Sequence, residues 1–312
     1  MQRRLRAGDR VDGRFRVVER LAEGGTAEVF KARDPKRGRD VALKIQLSRT
    51  FEHTSDFQSY GGDIKHDFET LQLLSAVEGI PRAYHLGFHE ERQYAVYELI
   101  HGKTLDEFAR ENWPLNAVYT ACILDQLAQI LDDIHRHGHV HRDVKPENAM
   151  IQPDGRIRIL DLGAAISVDC EDSRQIRPCG TDGYSAPEQY DLDVVPTPRA
   201  DIYALGCIVF QVAAMRLPYA EFSGRPDLRF DPFPNRSVLA KLPAGLLALG
   251  LEMIAHDPAC RPSSMAAVRE RLRQLDLIPL PGTAADPKAP DPDPSLPFRR
   301  PRCAPLTPPR PA

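Results

Sequence analysis

The sequence predicts an α+β fold with two parts, a small β-rich amino-terminal lobe over residues 15–100 and a larger α-helical lobe over residues 101–278. Two observations lead to this prediction. Up to about residue 100, the apolar residues fall in short runs rich in β-branched and aromatic side chains, which are typical of strands. From Thr104 onward the apolar residues instead recur at helical spacing.

Four runs in the first part are predicted strands, and one helical stretch interrupts them. The runs cover residues 16–18, 28–30, 41–45 and 94–97. A helix is predicted over residues 67–77, because Phe68, Leu71 and Leu74 share one face. In the second part the clearest helix covers residues 117–137, with apolar residues at helical spacing from Ile123 to Ile134.

The composition excludes several classes of protein. The chain has 312 residues, of which 42% are hydrophobic and 27% charged, so wholesale disorder is excluded. The net charge of −3 gives no reason to expect a nucleic-acid partner from the overall charge of the chain. No apolar stretch approaches the roughly 18 residues that a membrane span requires. The six cysteines form no Cys-x-x-Cys pair, which favours a reducing, cytoplasmic location.

The two ends differ in composition from the middle. Residues 1–14 are predicted to be a solvated basic arm, since the first 20 residues contain seven arginines. Residues 279–312 are rich in proline, which predicts an extended and disordered tail. The spacing Pro294-x-x-Pro297 leaves open a partner that binds polyproline helices, although a plain solvated tail explains it better.

A segment rich in small residues lies between the first two predicted strands, Leu-Ala-Glu-Gly-Gly-Thr-Ala-Glu-Val at residues 21–29. Small side chains let backbone N–H groups approach a polyphosphate closely. A glycine-rich hairpin turn explains this segment equally well.

Lys44 lies inside the apolar predicted strand 41–45, where burial is costly unless the lysine contacts an anion. A phosphate and a carboxylate of the following helix would both serve, and Glu69 is the expected carboxylate. The alternative is a lysine that reaches solvent from an edge strand.

The strongest chemical signal is the segment His-Val-His-Arg-Asp-Val-Lys-Pro-Glu-Asn at residues 139–148, followed by Asp161-Leu162-Gly163. Two aspartates, a lysine and an asparagine in this order suit metal-assisted phosphoryl transfer. That reaction needs oxygen ligands for Mg²⁺, a group that accepts the hydroxyl proton, and a cation near the moving phosphoryl group.

Taken together, these segments resemble the protein kinase family, and specifically the Hanks-type serine/threonine kinases of bacteria. The resemblance covers roughly residues 15–278 and implies the bilobal protein-kinase fold. Three further motifs belong to it: Gly-Thr-x-x-Tyr-x-Ala-Pro-Glu at residues 180–188, Asp-Ile-Tyr-Ala-Leu-Gly at 201–206, and Arg261-Pro262.

The resemblance implies ATP and Mg²⁺, or Mn²⁺ in its place, as cofactors and Ser/Thr hydroxyls of proteins as acceptors. It implies Asp143 as catalytic base, Lys145 at the γ-phosphoryl group, and a pair between Lys44 and Glu69 at the α- and β-phosphates. It also implies a metal site, a nucleotide pocket and a structural ion pair. Asn148 and Asp161 would bind the metal, and Glu188 would pair with Arg261. Ala22, Gly24 and Gly25 would lie over the phosphates, and Val29, Ala42 and Met150 would sandwich the adenine. The backbone at Glu98 and Ile100 would hydrogen-bond the adenine edge, and Tyr97 would narrow the back pocket.

Three departures from the family pattern are visible. Ala22 and Ala27 stand where the family usually has glycines, which would stiffen the loop over the phosphates. Leucine replaces phenylalanine after Asp161, and residues 45–66 form an insertion of unassigned role. The altered loop keeps open the alternative of a pseudokinase scaffold, while the surviving charged residues favour an active enzyme.

Overall fold

The computed structural model describes residues 4–47, 64–169, 180–191, 193–222, 224–240 and 242–300. Most of the insertion at residues 45–66 therefore lies outside the described residues. The part of the chain described here consists of a β-rich amino-terminal lobe and a mainly helical carboxy-terminal lobe, as the sequence predicts.

An antiparallel six-stranded sheet forms the amino-terminal lobe, with the strand order β1-β2-β3-β4-β6-β5. Its strands are β1 (Arg10–Val11), β2 (Phe15–Glu23), β3 (Ala27–Asp34), β4 (Arg39–Gln46), β5 (Ala83–His89) and β6 (Arg92–Glu98). The four strands predicted from sequence correspond to β2, β3, β4 and β6. Strand β4 lies at the centre, paired with β3 on one side and β6 on the other.

The amino-terminal segment is part of this sheet. Val11 in β1 is fully buried, and the guanidinium of Arg14 donates two hydrogen bonds, of 3.0 and 2.7 Å, to the buried carboxylate of Asp34. The prediction of a solvated arm over residues 1–14 is therefore wrong for residues 10–14. The arginine-rich composition concealed an apolar anchor and an ion pair.

The helices of the two lobes are α1 (Ile64–Leu73), α2 (Leu105–Glu111), α3 (Ala117–Arg136), α4 (Pro198–Ala214), α5 (Ala244–Met253), α6 (Met265–Gln274) and α7 (Leu296–Arg299). Helix α1 begins and ends earlier than predicted. It ends early because the chain tightens into short turns at Ser75 and Val77. Its predicted apolar face is nonetheless buried, with Phe68, Leu71 and Leu74 at most 7% exposed.

Two long helices form the centre of the carboxy-terminal lobe. Helix α3 begins at the Asn116 cap, whose side chain accepts a hydrogen bond from Tyr119 N–H, and it packs against α4 and α6. Helix α4 is buried on nearly all sides, as expected of a helix whose apolar residues surround the axis. No helix in the described ranges is long and apolar enough to cross a membrane.

Five short strands lie between β6 and α4 and shape the loops beside the cleft. They are β7 (Lys103–Thr104), β8 (His139–Val140), β9 (Ala149–Ile151), β10 (Ile157–Ile159) and β11 (Ile166–Ser167). Strands β10, β9 and β7 form one small sheet, and β11 pairs with β8. The pairing of β8 with β11 thus holds together the two ends of the chain segment between them.

Residues 279–300 pack against the carboxy-terminal lobe, so the prediction of a disordered tail is wrong for this part. Tyr119 donates a 2.9 Å hydrogen bond to Asp286, and the Gln126 amide donates one of 3.0 Å to the carbonyl of Pro294. Although prolines lack an N–H, their carbonyls still accept hydrogen bonds, and these bonds attach the segment to α3.

The turn between β9 and β10 makes room for this segment. A Cβ atom at Gly155 would lie only 2.0 Å from the carbonyl oxygen of Asp293. Pro294 and Ser295 of the Pro-x-x-Pro spacing are buried against the chain itself and are not presented to a partner. Residues 301–312, the rest of the predicted tail, lie outside the described residues.

Candidate active site

The alternation of strand β4 places Lys44 in the cleft. Val41, Leu43 and Ile45 point into a core formed by the strands of the sheet, so Ala42 and Lys44 face the opposite side, toward α1. Tyr97 of β6 is the register partner of Ala42 and shares this face. Val29, Ala42 and Met150 are half-buried, and their place in a nucleotide pocket stays a prediction.

Lys44 contacts two carboxylates. Its Nζ lies 3.0 Å from Oδ2 of Asp161 and 3.3 Å from Oδ2 of Asp67. Burial by itself would lower the pKa of this lysine, but the carboxylates of Asp161 and Asp67 outweigh it and raise the pKa above its usual value. Lys44 is therefore a permanent cation at neutral pH, as a polyphosphate site requires.

The helical partner of Lys44 is Asp67, and the prediction of Glu69 is wrong. Glu69 is 54% exposed and its carboxylate lies 3.8 Å from the ammonium of Lys65. Helical residues that are two positions apart in sequence are separated by about 200° around the helix axis. Glu69 therefore points away from the sheet when Asp67 points toward it. The spacing of Asp67 with Leu71 and Leu74, at i, i+4 and i+7, is the sequence signal for this buried face.

The loop after β8 is fixed by a buried carboxylate. Asp201 in the first turn of α4 accepts hydrogen bonds from the backbone N–H groups of His141, at 2.9 Å, and Arg142, at 2.8 Å. Burial raises the pKa of the Asp201 carboxyl, but the side chain of His135 at 2.7 Å and the other donors hold it below its usual value. These bonds hold Arg142 in the left-handed region, at φ 70°.

The Asp143 carboxylate contacts three polar groups. The hydroxyl of Thr181 donates to its Oδ1 at 2.7 Å, and the amide of Asn148 donates to its Oδ2 at 3.0 Å. The Lys145 ammonium lies 2.9 Å from Asp143 Oδ2 and donates to the Thr181 hydroxyl at 2.6 Å. The arrangement presents an oriented carboxylate next to a cation, which suits proton acceptance from a hydroxyl beside a developing negative charge.

Asp161 and Asn148 fit the requirements of a hard cation. The Asp161 side chain is 41% exposed toward the cleft, and its Oδ1 accepts the N–H of Gly163 at 3.1 Å. Desolvation by the surrounding protein raises the pKa of this partly exposed carboxyl, but the Lys44 ammonium outweighs that effect and holds the pKa below its usual value. Because the Asn148 amide nitrogen is directed at Asp143, its oxygen is left for a metal.

The residues that are predicted to cover the phosphates form a hairpin, with a shift in strand register between Arg20 and Ala22. Ala22 of β2 pairs with Val29 of β3, and Gly24 N–H donates to the carbonyl of Ala27 at 2.8 Å. Neither Gly24 nor Gly25 adopts a positive φ, so this hairpin does not depend on the special freedom of glycine. The methyl group of Ala27 is buried in the main core. The two alanines are thus compatible with the turn.

The hinge between the lobes contains Glu98 and Ile100. The Glu98 carboxylate points away from the cleft, toward Arg158 at 3.0 Å, while Ile100 is buried. The Glu98 side chain instead lines a separate cavity of about 1540 Å³ between α3, α6 and residues 278–300. None of the other predicted site residues lines this cavity.

A buried ion pair attaches the end of the Gly-Thr-x-x-Tyr segment to the carboxy-terminal lobe. The guanidinium of Arg261 is fully buried and donates to both oxygens of Glu188, at 2.7 and 2.8 Å. It also donates to the carbonyls of Ala255, Arg199 and His256, so each side of the guanidinium has a partner. The predicted pair of Glu188 and Arg261 is present in the structure.

Comparison with known proteins agrees with this geometry. Residues 15–272 match the model of the protein kinase domain family. The chain is 30% identical over 215 residues to the serine/threonine-protein kinase PrkC of Bacillus subtilis, an alignment that covers 68% of this chain and 32% of that protein. It is 32% identical over 221 residues to the serine/threonine-protein kinase PknA of Mycobacterium tuberculosis, covering 69% of this chain and 50% of that protein.

A third relative, the serine/threonine-protein kinase pkn2 of Myxococcus xanthus, is 30% identical over 314 residues, covering 89% of this chain and 36% of the relative. The chain therefore spans about a third to a half of the length of these relatives. The family match over most of the chain, the two lobes and the charged cleft agree: the chain belongs to the protein kinase domain family.

Proposed function

We propose that this chain transfers the γ-phosphoryl group of ATP to serine or threonine hydroxyls of proteins. The observation that carries the proposal is the Asp143 carboxylate, oriented by Asn148 and Thr181 beside the Lys145 ammonium. The names of the relatives, all serine/threonine-protein kinases, support the same activity.

Each polar residue of the cleft has a distinct task in this proposal. Asp143 orients the acceptor hydroxyl and takes its proton on a carboxylate oxygen, while Lys145 compensates negative charge beside it. Lys44 binds phosphate oxygens through Nζ and is held by Asp67. Bound ATP would supply the phosphoryl group, and the bound metal would neutralise part of the negative charge on the phosphates.

Mg²⁺ is the proposed metal, held by the oxygen atoms of Asp161 and Asn148. Carboxylate and amide oxygens are hard ligands, and Mg²⁺ is usually bound by one or two protein groups together with phosphate oxygens and water. The described residues contain no cluster of three or more His, Cys, Asp or Glu side chains that would hold a metal without such help. Mn²⁺ would fit the same ligands.

Serine and threonine are the proposed acceptors because of Thr181 and Lys145. Their contact, at 2.6 Å, links the segment at residues 180–188, the proposed substrate-binding segment, to the loop that contains Asp143 and Lys145. We further propose a cytoplasmic location, since the three cysteines whose placement is described, Cys122, Cys207 and Cys260, are free thiols.

The activity is tested by incubating the protein with ATP, Mg²⁺ and a mixture of Ser-, Thr- and Tyr-containing peptides, with mass spectrometry as the readout. Phosphoserine and phosphothreonine are expected, and Asp143→Asn and Asp161→Asn variants should form neither. Wild-type protein that binds Mg²⁺–ADP and forms no phosphopeptide would overturn the proposal in favour of a scaffold. Phosphotyrosine as the main product would overturn the acceptor assignment.

A further inference from the structure

Asp67 is the meeting point of three elements of the cleft. Its Oδ2 lies 3.3 Å from Lys44 Nζ in β4 and accepts a 2.8 Å hydrogen bond from the Tyr97 hydroxyl in β6. Its Oδ1 accepts a 2.8 Å hydrogen bond from the backbone N–H of Leu162, the residue after Asp161. The carboxylate is only 2% exposed, so these groups replace most of its hydration.

The three partners differ in how firmly they hold the carboxylate. The contact with Lys44 is longer than the 2.7–2.9 Å typical of a charged hydrogen bond, and Lys44 is shared with Asp161 at 3.0 Å. Aspartate also has one methylene fewer than glutamate, so its reach toward the strand is shorter. Tyr97 and Leu162 therefore make the two short bonds that do not depend on the position of Lys44.

Tyr97 is itself fixed. Its side chain is 6% exposed, and its ring packs against Phe68 of α1 with 6.4 Å between the ring centroids. The hydroxyl is thus held at the end of a rigid ring, between the strand and the helix. A phenylalanine at this position would keep the packing and lose only the donor.

From this geometry we infer that Tyr97 is a positioning residue for phosphoryl transfer, which acts by fixing Asp67 and, through it, both Lys44 and the backbone beside Asp161. The inference rests on the proposed kinase activity. It gives Tyr97 a task beyond narrowing the back pocket. The hydrogen-bonded pair of Tyr97 and Asp67 orients Lys44, which binds phosphate in the proposed function, and the backbone that follows the metal ligand Asp161.

The chain offers a matched control on the same strand. Tyr94 donates a hydrogen bond of the same length, 2.8 Å, to Asp12, but Tyr94 lies on the other face of β6, within the core of the sheet. Tyr94→Phe and Tyr97→Phe therefore each remove one tyrosine–aspartate hydrogen bond from the amino-terminal lobe. Only Tyr97→Phe removes a hydrogen bond to a residue of the cleft.

The test compares Tyr97→Phe, Tyr94→Phe and Asp67→Asn in two measurements. In nucleotide-free protein, amide hydrogen exchange at Leu162 should be about tenfold faster in Tyr97→Phe and in Asp67→Asn, since a hydrogen bond to a charged group is weakened. In steady-state kinetics, Tyr97→Phe should lower kcat/KM for ATP about tenfold, with the KM for the peptide within twofold of wild type. Tyr94→Phe should change neither measurement more than twofold.

Because Tyr97 is inferred to act through Asp67, the double variant Tyr97→Phe/Asp67→Asn should resemble Asp67→Asn alone. Additive losses in the double variant would overturn the inference, as would a Tyr97→Phe protein that matches Tyr94→Phe in both measurements. Absence of phosphoryl transfer in the wild type would instead contradict the proposed function, and the exchange rate at Leu162 would still decide whether Tyr97 fixes Asp67.

Discussion

Thr181 donates a 2.7 Å hydrogen bond to Oδ1 of Asp143 and accepts one of 2.6 Å from Lys145, so it bridges the two central groups of the cleft. The hydroxyl thus connects the segment at residues 180–188 to the loop that contains Asp143 and Lys145. Valine has nearly the same shape as threonine but no hydroxyl, so it would make neither contact.

Thr181→Val should lower the rate of peptide phosphorylation about 100-fold, within the range found when a positioned catalytic group is disturbed. Thr181→Ser keeps the hydroxyl and should stay within about threefold of wild type. The measurement is kcat with saturating ATP and peptide, at matched thermal stability. Equal activity of the valine and serine variants would show that the bridge has no catalytic role.

Arg261→Ala should destabilise the protein by about 3–5 kcal/mol, the usual cost of removing one partner from a buried ion pair. Glu188 would remain buried without its guanidinium, and three carbonyls would lose a donor. Urea unfolding measures the loss. The control is Arg229→Ala, which removes an ion pair at 2.6 Å whose arginine side chain is 80% exposed, and which should leave stability unchanged. Similar losses in the two variants would refute the structural role of Arg261.

Asp201 should make the protein more stable at neutral than at acid pH. Its pKa lies below the unfolded value of about 3.9, so the unfolded chain binds the proton more readily. The contribution of Asp201 is therefore fully present above the unfolded pKa and is lost as the pH falls through the folded pKa. Asp201→Asn should be less stable than wild type by about 3 kcal/mol at pH 7, and by progressively less below pH 4.

Unfolding free energies of wild type and Asp201→Asn, measured from pH 7 to pH 3, test this dependence. Asp154→Asn, at an aspartate whose side chain is 40% exposed, serves as the control and should differ little from wild type throughout. A loss in Asp201→Asn that is constant over the whole pH range would contradict the assignment.

Deletion of residues 279–312 should lower the melting temperature by about 5 °C, because it uncovers α3 and removes several hydrogen bonds. Tyr119→Phe removes only the bond to Asp286 and should lower it by less. Differential scanning calorimetry distinguishes the two. An unchanged melting temperature after deletion would show that the segment is not held against the carboxy-terminal lobe.

The residues of the cleft that lie in short sequence motifs could be predicted, because phosphoryl transfer needs these residue types close together and their spacing in the sequence reflects that need. Asp143, Lys145, Asn148 and Asp161 are predicted from sequence, and the structure brings them into one cleft with Lys44. The partner of Lys44 was predicted incorrectly, because the register of a helix against a strand depends on tertiary packing. From the linear sequence Glu69 is the expected partner, whereas the structure pairs Lys44 with Asp67, two positions earlier in α1.

The two ends of the chain were predicted incorrectly for a different reason. Composition averages over a segment, whereas attachment depends on a few contacts. Val11 and Arg14 anchor an arginine-rich segment, and Gln126 and Gly155 receive a proline-rich one. Gln126 and Pro294 are 168 positions apart, and Arg14 and Asp34 are 20 apart; a single sequence reveals neither contact.

The most direct test of the account is single-turnover phosphoryl transfer by wild type and Asp143→Asn, with Mg²⁺–ADP affinity measured on the same samples. The account predicts a fall in the transfer rate of about 1000-fold or more, because the variant cannot accept the hydroxyl proton, while the affinity for Mg²⁺–ADP stays within about threefold. A transfer rate for Asp143→Asn within about tenfold of wild type would contradict it.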